Sequence, residues 1–229
     1  MLTDKQLPDL QMAGVSGAAG GTYNNVNLDG VSRVNGPVLA RNFKGNGVIQ
    51  MNGDLSAEEM DVNGKLKING SLESARMQLD GMVTIDGPLR GENCILNGMI
   101  RVTGSCELER FEGEGSFTVI GLLSAGYMDF TLEGQSKADE IGVESLIVRQ
   151  RDSHLVSKLL GGLIPRFRTE LLAKVIEGDY LELENTTADI VRGDKVIIGI
   201  GCRIGRLEYR SELKVHPGSS VGKVEKYGE

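Results

Sequence analysis

The chain has no tryptophan, and its five tyrosines and five phenylalanines make aromatic residues only 4 % of 229. Any core must therefore be built from Val, Ile, Leu and Met, a composition that repeat coils tolerate because each core position stacks on its own kind. Excess positive charge is missing too. The net charge of −7 excludes general binding to a nucleic-acid backbone, and no basic stripe with interleaved aromatics argues otherwise. Cys94, Cys106 and Cys202 are odd in number and lack CxxC spacing, which predicts small buried thiols in a reducing compartment. There is no Walker-type phosphate loop, hence no nucleotide requirement, and no GGxGxD calcium repeat. No apolar run reaches transmembrane length and Met1–Leu10 lacks a signal-peptide pattern, so the expected location is the cytoplasm, with contact at the inner face of the membrane left open.

Glycine is what the chain has instead, with 32 residues spaced rather than clustered. Gly30, Gly47, Gly64, Gly81, Gly98 and Gly115 form a ladder with a fixed step. Gly36, Gly53, Gly70, Gly87, Gly104 and Gly121 keep the same step six positions later. Most follow Asn or Asp, the residues that accompany glycine in sharp turns needing positive φ. Between the glycines, alternate positions are apolar. One column reads Ile49, Leu66, Val83, Ile100 and Phe117, and the next Val34, Met51, Ile68, Ile85, Val102 and Val119. A third holds Val38, Leu55, Leu72, Leu89, Cys106 and Leu123, and a fourth Val26, Phe43, Met60, Met77, Cys94, Phe111 and Met128. Alternation within short runs is strand, not helix.

The fold class expected is all-β, a parallel β-helix with about 17 residues per rung and three short strands per turn. Right-handed winding is preferred, because left-handed hexapeptide coils want three similar six-residue sides. Gly45 and Gly113 are read as balancing the bulk of Phe43 and Phe111. Outward positions alternate in sign: Glu73, Arg90 and Glu107 succeed one another, and Gln50 and Thr84 separate Arg33, Lys67 and Arg101.

The ladder ends at Gly121, which divides the chain into a flexible tail over 1–25, a regular β-helix over 26–131 and a second segment over 132–229. In that segment Ala173, Ala188, Gly205 and Gly222 each precede an apolar residue two places on, Val175, Ile190, Leu207 and Val224. Ala138 fits the scheme except that Glu140 sits where an apolar residue should. An insertion over 149–172 interrupts it. There Leu155, Leu159, Leu163, Ile164 and Phe167 follow one face at helical spacing, with Lys158, Arg166 and Arg168 on the polar side. The expectation is a short interfacial helix touching anionic lipid, or one covering the coil.

Six rungs without a loop insertion leave nowhere to build a cleft, so no catalytic, cofactor-binding or metal residue is assigned, and His154 and His216 are not given a catalytic role. The coil ends are the better candidates, because unpaired strand edges there can pair with another copy. That places polymer contacts at Val26, Leu28, Val34 and Val38, and at Val221 and Val224.

The units Ile68-Asn69-Gly70-Ser71-Leu72 and Ile85-Asp86-Gly87-Pro88-Leu89 resemble those of the bactofilins, bacterial polymer-forming cytoskeletal proteins. The resemblance covers about 26–131, and extends over 173–226 through Ile204-Gly205-Arg206-Leu207 and Val221-Gly222-Lys223-Val224. It implies a right-handed β-helix that assembles without nucleotide, pairs with itself or a paralogue, associates peripherally with membrane and supports cell shape, envelope growth or motility. Two departures are the second segment with its insertion and a Met1–Thr22 region only mildly apolar. A β-helical enzyme of the acyltransferase type, acting on an acyl or sugar substrate, and a non-polymerising adaptor are the alternative readings.

Overall fold

A computed structural model of the protein describes residues 7–151 and 169–228. The strands are β1 (Leu10–Asn52), β2 (Leu55–Ile68), β3 (Leu72–Ile85), β4 (Leu89–Val102) and β5 (Cys106–Leu132), followed by β6 (Gln135–Gln150), β7 (Glu170–Leu183), β8 (Thr186–Ile198), β9 (Arg203–Val215) and β10 (Ser220–Lys226). All lie in one sheet in sequence order, and the strand pairs are parallel. A parallel sheet built by consecutive strands without crossover helices is a solenoid, climbing one strand spacing of about 4.8 Å per turn. From Val38 to Val102 each residue meets the one 17 places on, as in Phe43 beside Met60 beside Met77 beside Cys94.

The first glycine ladder is fixed by two separate constraints. Its six members have φ between +100° and +133°, a region that costs any residue with a Cβ. A Cβ on any of them would also run into the carbonyl oxygen of the ladder glycine one turn earlier. The second ladder has a different cause. Gly70, Gly87 and Gly104 do not have positive φ; an added Cβ on Gly70 would stand 2.7 Å from the carbonyl carbon of Gly53. Close stacking of corner upon corner, not backbone handedness, excludes side chains there. Side-chain amides stack beside it: Asn69 donates to Asn52 at 2.7 Å and Asn52 to Asn35 at 2.7 Å.

The inward columns form one continuous core, and the four predicted series are buried along it. Gly45 does give way to its neighbours, since a Cβ would meet the Ile49 and Phe43 side chains. Gly113 has another reason: it has φ +140°, and its Cβ would collide with the backbone of Leu96. Where the strict ladder ends, Phe111, Phe117 and Phe130 meet with ring centroids 5.2–5.9 Å apart. Three rings here fill the core beside a register shift between Val119 and Leu122, after which the offset changes from 19 to 18 residues.

Several expectations are corrected. The tail foreseen over 1–25 is strand from Leu10 onward: Asn24 N–H bonds to Pro8 and the Asn25 N–H to Asp9 Oδ1, 16 residues back. Gly14 lies under Gly30 at that same shorter step, so the ladder has an earlier member that a fixed 17-residue count misses. The division at 131/132 is a change of register, not a gap in the sheet. In the second segment the core face is one residue away from the predicted one. Ile141, Ile176, Val191 and Leu207 are buried and in register, whereas Val175 and Ile190 pair with exposed Glu140. A one-residue slip exchanges the two faces of a strand, which is why Glu140 looked misplaced. Of the insertion foreseen at 149–172, Gln150 and Glu170 belong to strands, and residues 152–168 lie outside the described residues. So do Leu155, Lys158, Leu159, Leu163, Ile164, Arg166, Phe167 and the neighbouring Arg168, and with them the predicted helix.

Candidate functional site

The two ends of the described solenoid differ from the prediction in one respect. Val26, Leu28, Val34 and Val38 are at most 3 % exposed, because a further turn lies over them. At the 16-residue step that turn sets Leu10 beside Val26 and Met12 beside Leu28, and both pack half-buried on the core. The column ends at this side are therefore Leu10 and Met12. No signal from a fixed period finds them; the paired spacings Gly14 to Gly30 and Gly20 to Gly36 would.

At the other end the prediction holds its place. Val221 stacks on Ile204 and Val224 on Leu207, so both continue core columns. Leu207 is fully buried, whereas Val224, with no turn described beyond it, is 47 % exposed. Among the described residues no helix lies across either end. Each end thus offers a row of parallel-strand donors and acceptors with apolar column ends beside it.

The sides carry little that could do chemistry. Two shallow open depressions are lined by surface residues, one including Gln11, Asn27 and Lys44 and the other Asn42, Glu59 and Arg76. No group of acidic, His or Cys residues among the described residues could hold a metal. His216 is exposed and its Nδ1 accepts a 3.0 Å bond from the Gly218 N–H, an ordinary turn contact; His154 lies outside the described residues. The Arg90 guanidinium hydrogen-bonds Glu107 at 3.2 Å and holds its carboxyl below the usual range. Such pairs between successive turns fix register rather than create a reactive group.

All three thiols are free and buried. Burial pushes Cys94 up to about 12 and Cys202 to about 11 from a usual 9.0, and Cys106 upward by the same cause. A folded value raised above the unfolded one gives stability that is complete below about pH 9 and lost as pH climbs toward 11–12. The urea midpoint should accordingly fall through that window and recover in a Cys94→Ala/Cys106→Ala variant. Thiol-reactive dye should label the native chain at pH 8 at a rate set by unfolding; prompt labelling of any of the three would contradict this burial.

Two curated relatives match part of the chain. It is 39 % identical over 102 residues to the uncharacterized protein YhbF of Bacillus subtilis (strain 168), covering 44 % of this chain and 40 % of that protein. It is 42 % identical over 104 residues to the uncharacterized protein YhbE of the same organism, covering 45 % and 42 % respectively. The chain spans about two fifths of the length of the curated relatives it matches. No protein-family profile matches it, and neither does any solved structure. No helix among the described residues is long and apolar enough to cross a membrane.

Proposed function

We propose that the protein is a self-assembling structural scaffold of the bactofilin type, a non-enzymatic polymer that grows by pairing solenoid ends without nucleotide. The observation that carries this reading is the pair of ends just described: core columns terminate at Leu10 and Met12 on one side and at half-exposed Val224 on the other, with strand edges beside them. Stacking one copy on the next would extend every column and complete every ladder, burying those apolar side chains. The winding is right-handed in this reading. The apolar and basic residues of 155–168 would give the polymer peripheral contact with anionic membrane, and its service would be to cell shape, envelope or motility structures.

Purified protein should form filaments under the electron microscope with no nucleotide present. Val224→Glu sets a charge in the end-to-end contact without entering the interior, and should leave a folded, dispersed protein. Leu10→Glu should do the same from the other side. If filaments of normal length persist in both variants, end pairing is wrong.

A further inference from the structure

The outward columns of this solenoid follow two different charge rules. On two of the three sides, opposite charges alternate from turn to turn and neutralise one another. Examples are Lys44 with Asp61 at 3.6 Å, Arg90 with Glu107 at 3.2 Å, Arg76 with Glu59, and Arg192 with Glu177 and Glu208. The third side, between the two glycine ladders, does not. Its central column runs Arg33, Gln50, Lys67, Thr84, Arg101, Thr118, then Lys137, in register throughout. Cations recur at every second turn, about 9.6 Å apart, with neutral spacers and no carboxylate in the column. Leu172, Thr187, Arg203 and Ser220 continue it with the same rule. Arg33, Arg101 and Lys137, with Lys65 beside them, join no ion pair among the described residues. Next to the cations runs a ridge of Val31, Val48, Met82 and Met99, each 40–51 % exposed.

The counterpart lies on the same molecule but cannot reach this side. The corner between the other two sides, across the core, carries Glu58, Glu92, Glu109, Glu144, Asp179 and Asp194 in successive turns. Only Asp194 among them is ion-paired, to Arg210 at 2.9 Å. Glu58 and Glu92 stand two turns apart, the same interval as Arg33 to Lys67 and Lys67 to Arg101. Both stripes are generated by one winding, so their pitches agree without adjustment. A column of cations left without internal counterions, opposite a corner of carboxylates with the same repeat, is complementary to a second copy shifted sideways.

We infer that the protein also associates side by side: the cationic side of one copy receives the acidic corner of the next. The two surfaces differ, so the contact is heterologous and does not close on itself; it makes open sheets or bundles of parallel solenoids. The Val and Met ridge adds apolar area to the contact, with methionine adapting to the surface it meets. Individual exposed pairs contribute little, so the effect resides in the repeated stripe rather than in any one residue. This contact goes beyond the end pairing proposed above and does not depend on it.

The test is charge reversal with exchange. One variant carries Arg33→Glu, Lys67→Glu and Arg101→Glu, the other Glu58→Lys, Glu92→Lys and Glu109→Lys. All six positions are at the surface, and circular dichroism checks that both variants fold. Sedimentation velocity at roughly 0.05 M salt should show side-by-side species for the natural protein that disperse near 1 M, where screening is nearly complete. Each variant alone should associate at least about tenfold more weakly, since like charges now face each other. An equimolar mixture should regain the association, because the acidified side then meets the basic corner and the natural pair is still present. Unchanged association of either variant, or a mixture that stays dispersed, would overturn the inference. So would a natural protein that stays dispersed but sediments with phosphatidylglycerol vesicles through Arg33, Lys67 and Arg101, which would assign that side to lipid. Electron microscopy separates this from end pairing: the reversed variants should keep single-width filaments, whereas Leu10→Glu and Val224→Glu shorten filaments and leave side contacts intact.

Discussion

Gly81→Ala is expected to cost on the order of 3–5 kcal/mol and to leave little native protein at moderate urea concentration. Two penalties act together. The residue has φ +125°, where any Cβ is strained. That Cβ would also collide with the Gly64 carbonyl oxygen and stand 3.0 Å from its carbonyl carbon. The obstacle is backbone of the neighbouring turn, which cannot swing aside as a long side chain can. Relief requires the turns to separate, and separation breaks the parallel hydrogen bonds on both sides of the corner. Gly142→Ala is the control, because its Cβ would meet only Leu122 Cδ1 at 3.9 Å and its φ is not left-handed. Urea midpoints should fall sharply for the first and stay within about 0.5 kcal/mol of the natural protein for the second. Equal midpoints would mean that the ladder glycines are not held by turn stacking.

Phe117→Ala is expected to cost about 3–5 kcal/mol, the range for emptying a buried aromatic site. Phe117 is 1 % exposed and its ring meets Phe111 at 5.9 Å and Phe130 at 5.2 Å, both edge-on. Its neighbour one turn earlier in the column is Ile100, so the site accepts an aliphatic side chain by shape. Phe117→Leu should therefore lose only about 1–1.5 kcal/mol. Because a solenoid's turns interact chiefly with their neighbours, the loss should be local. Amide exchange should rise around Cys106–Leu132 and Gln135–Gln150 and stay slow near Ile68. Uniform acceleration along the chain would show that the three rings hold the whole coil rather than the joint between its strict and looser parts.

Most of the solenoid was legible from the sequence because its core is one-dimensional. When each turn repeats the last, a column such as Phe43, Met60, Met77 and Cys94 is visible as equal spacing, and its burial follows. Legibility failed wherever the spacing changed. The turn at Leu10–Asn25 was read as tail because its step is 16 rather than 17. In β7 and β8 the step shortens to 15, and alternation alone does not say which of Val175 or Ile176 faces inward. Only the register with Leu181 and Leu183, and the exposure of Glu140, decide it.

What the sequence determined by itself is the parallel coil and its period, since glycine at a fixed interval states both a bend and its repetition. It also named Val221 and Val224 as ends of core columns. The tertiary structure decided the rest for one physical reason: stacking sets which outward residues become neighbours. It covered Val26 and Leu28 with an additional turn. It also aligned Lys137 under Thr118, extending into the second half a cationic stripe that the sequence breaks across a change of period.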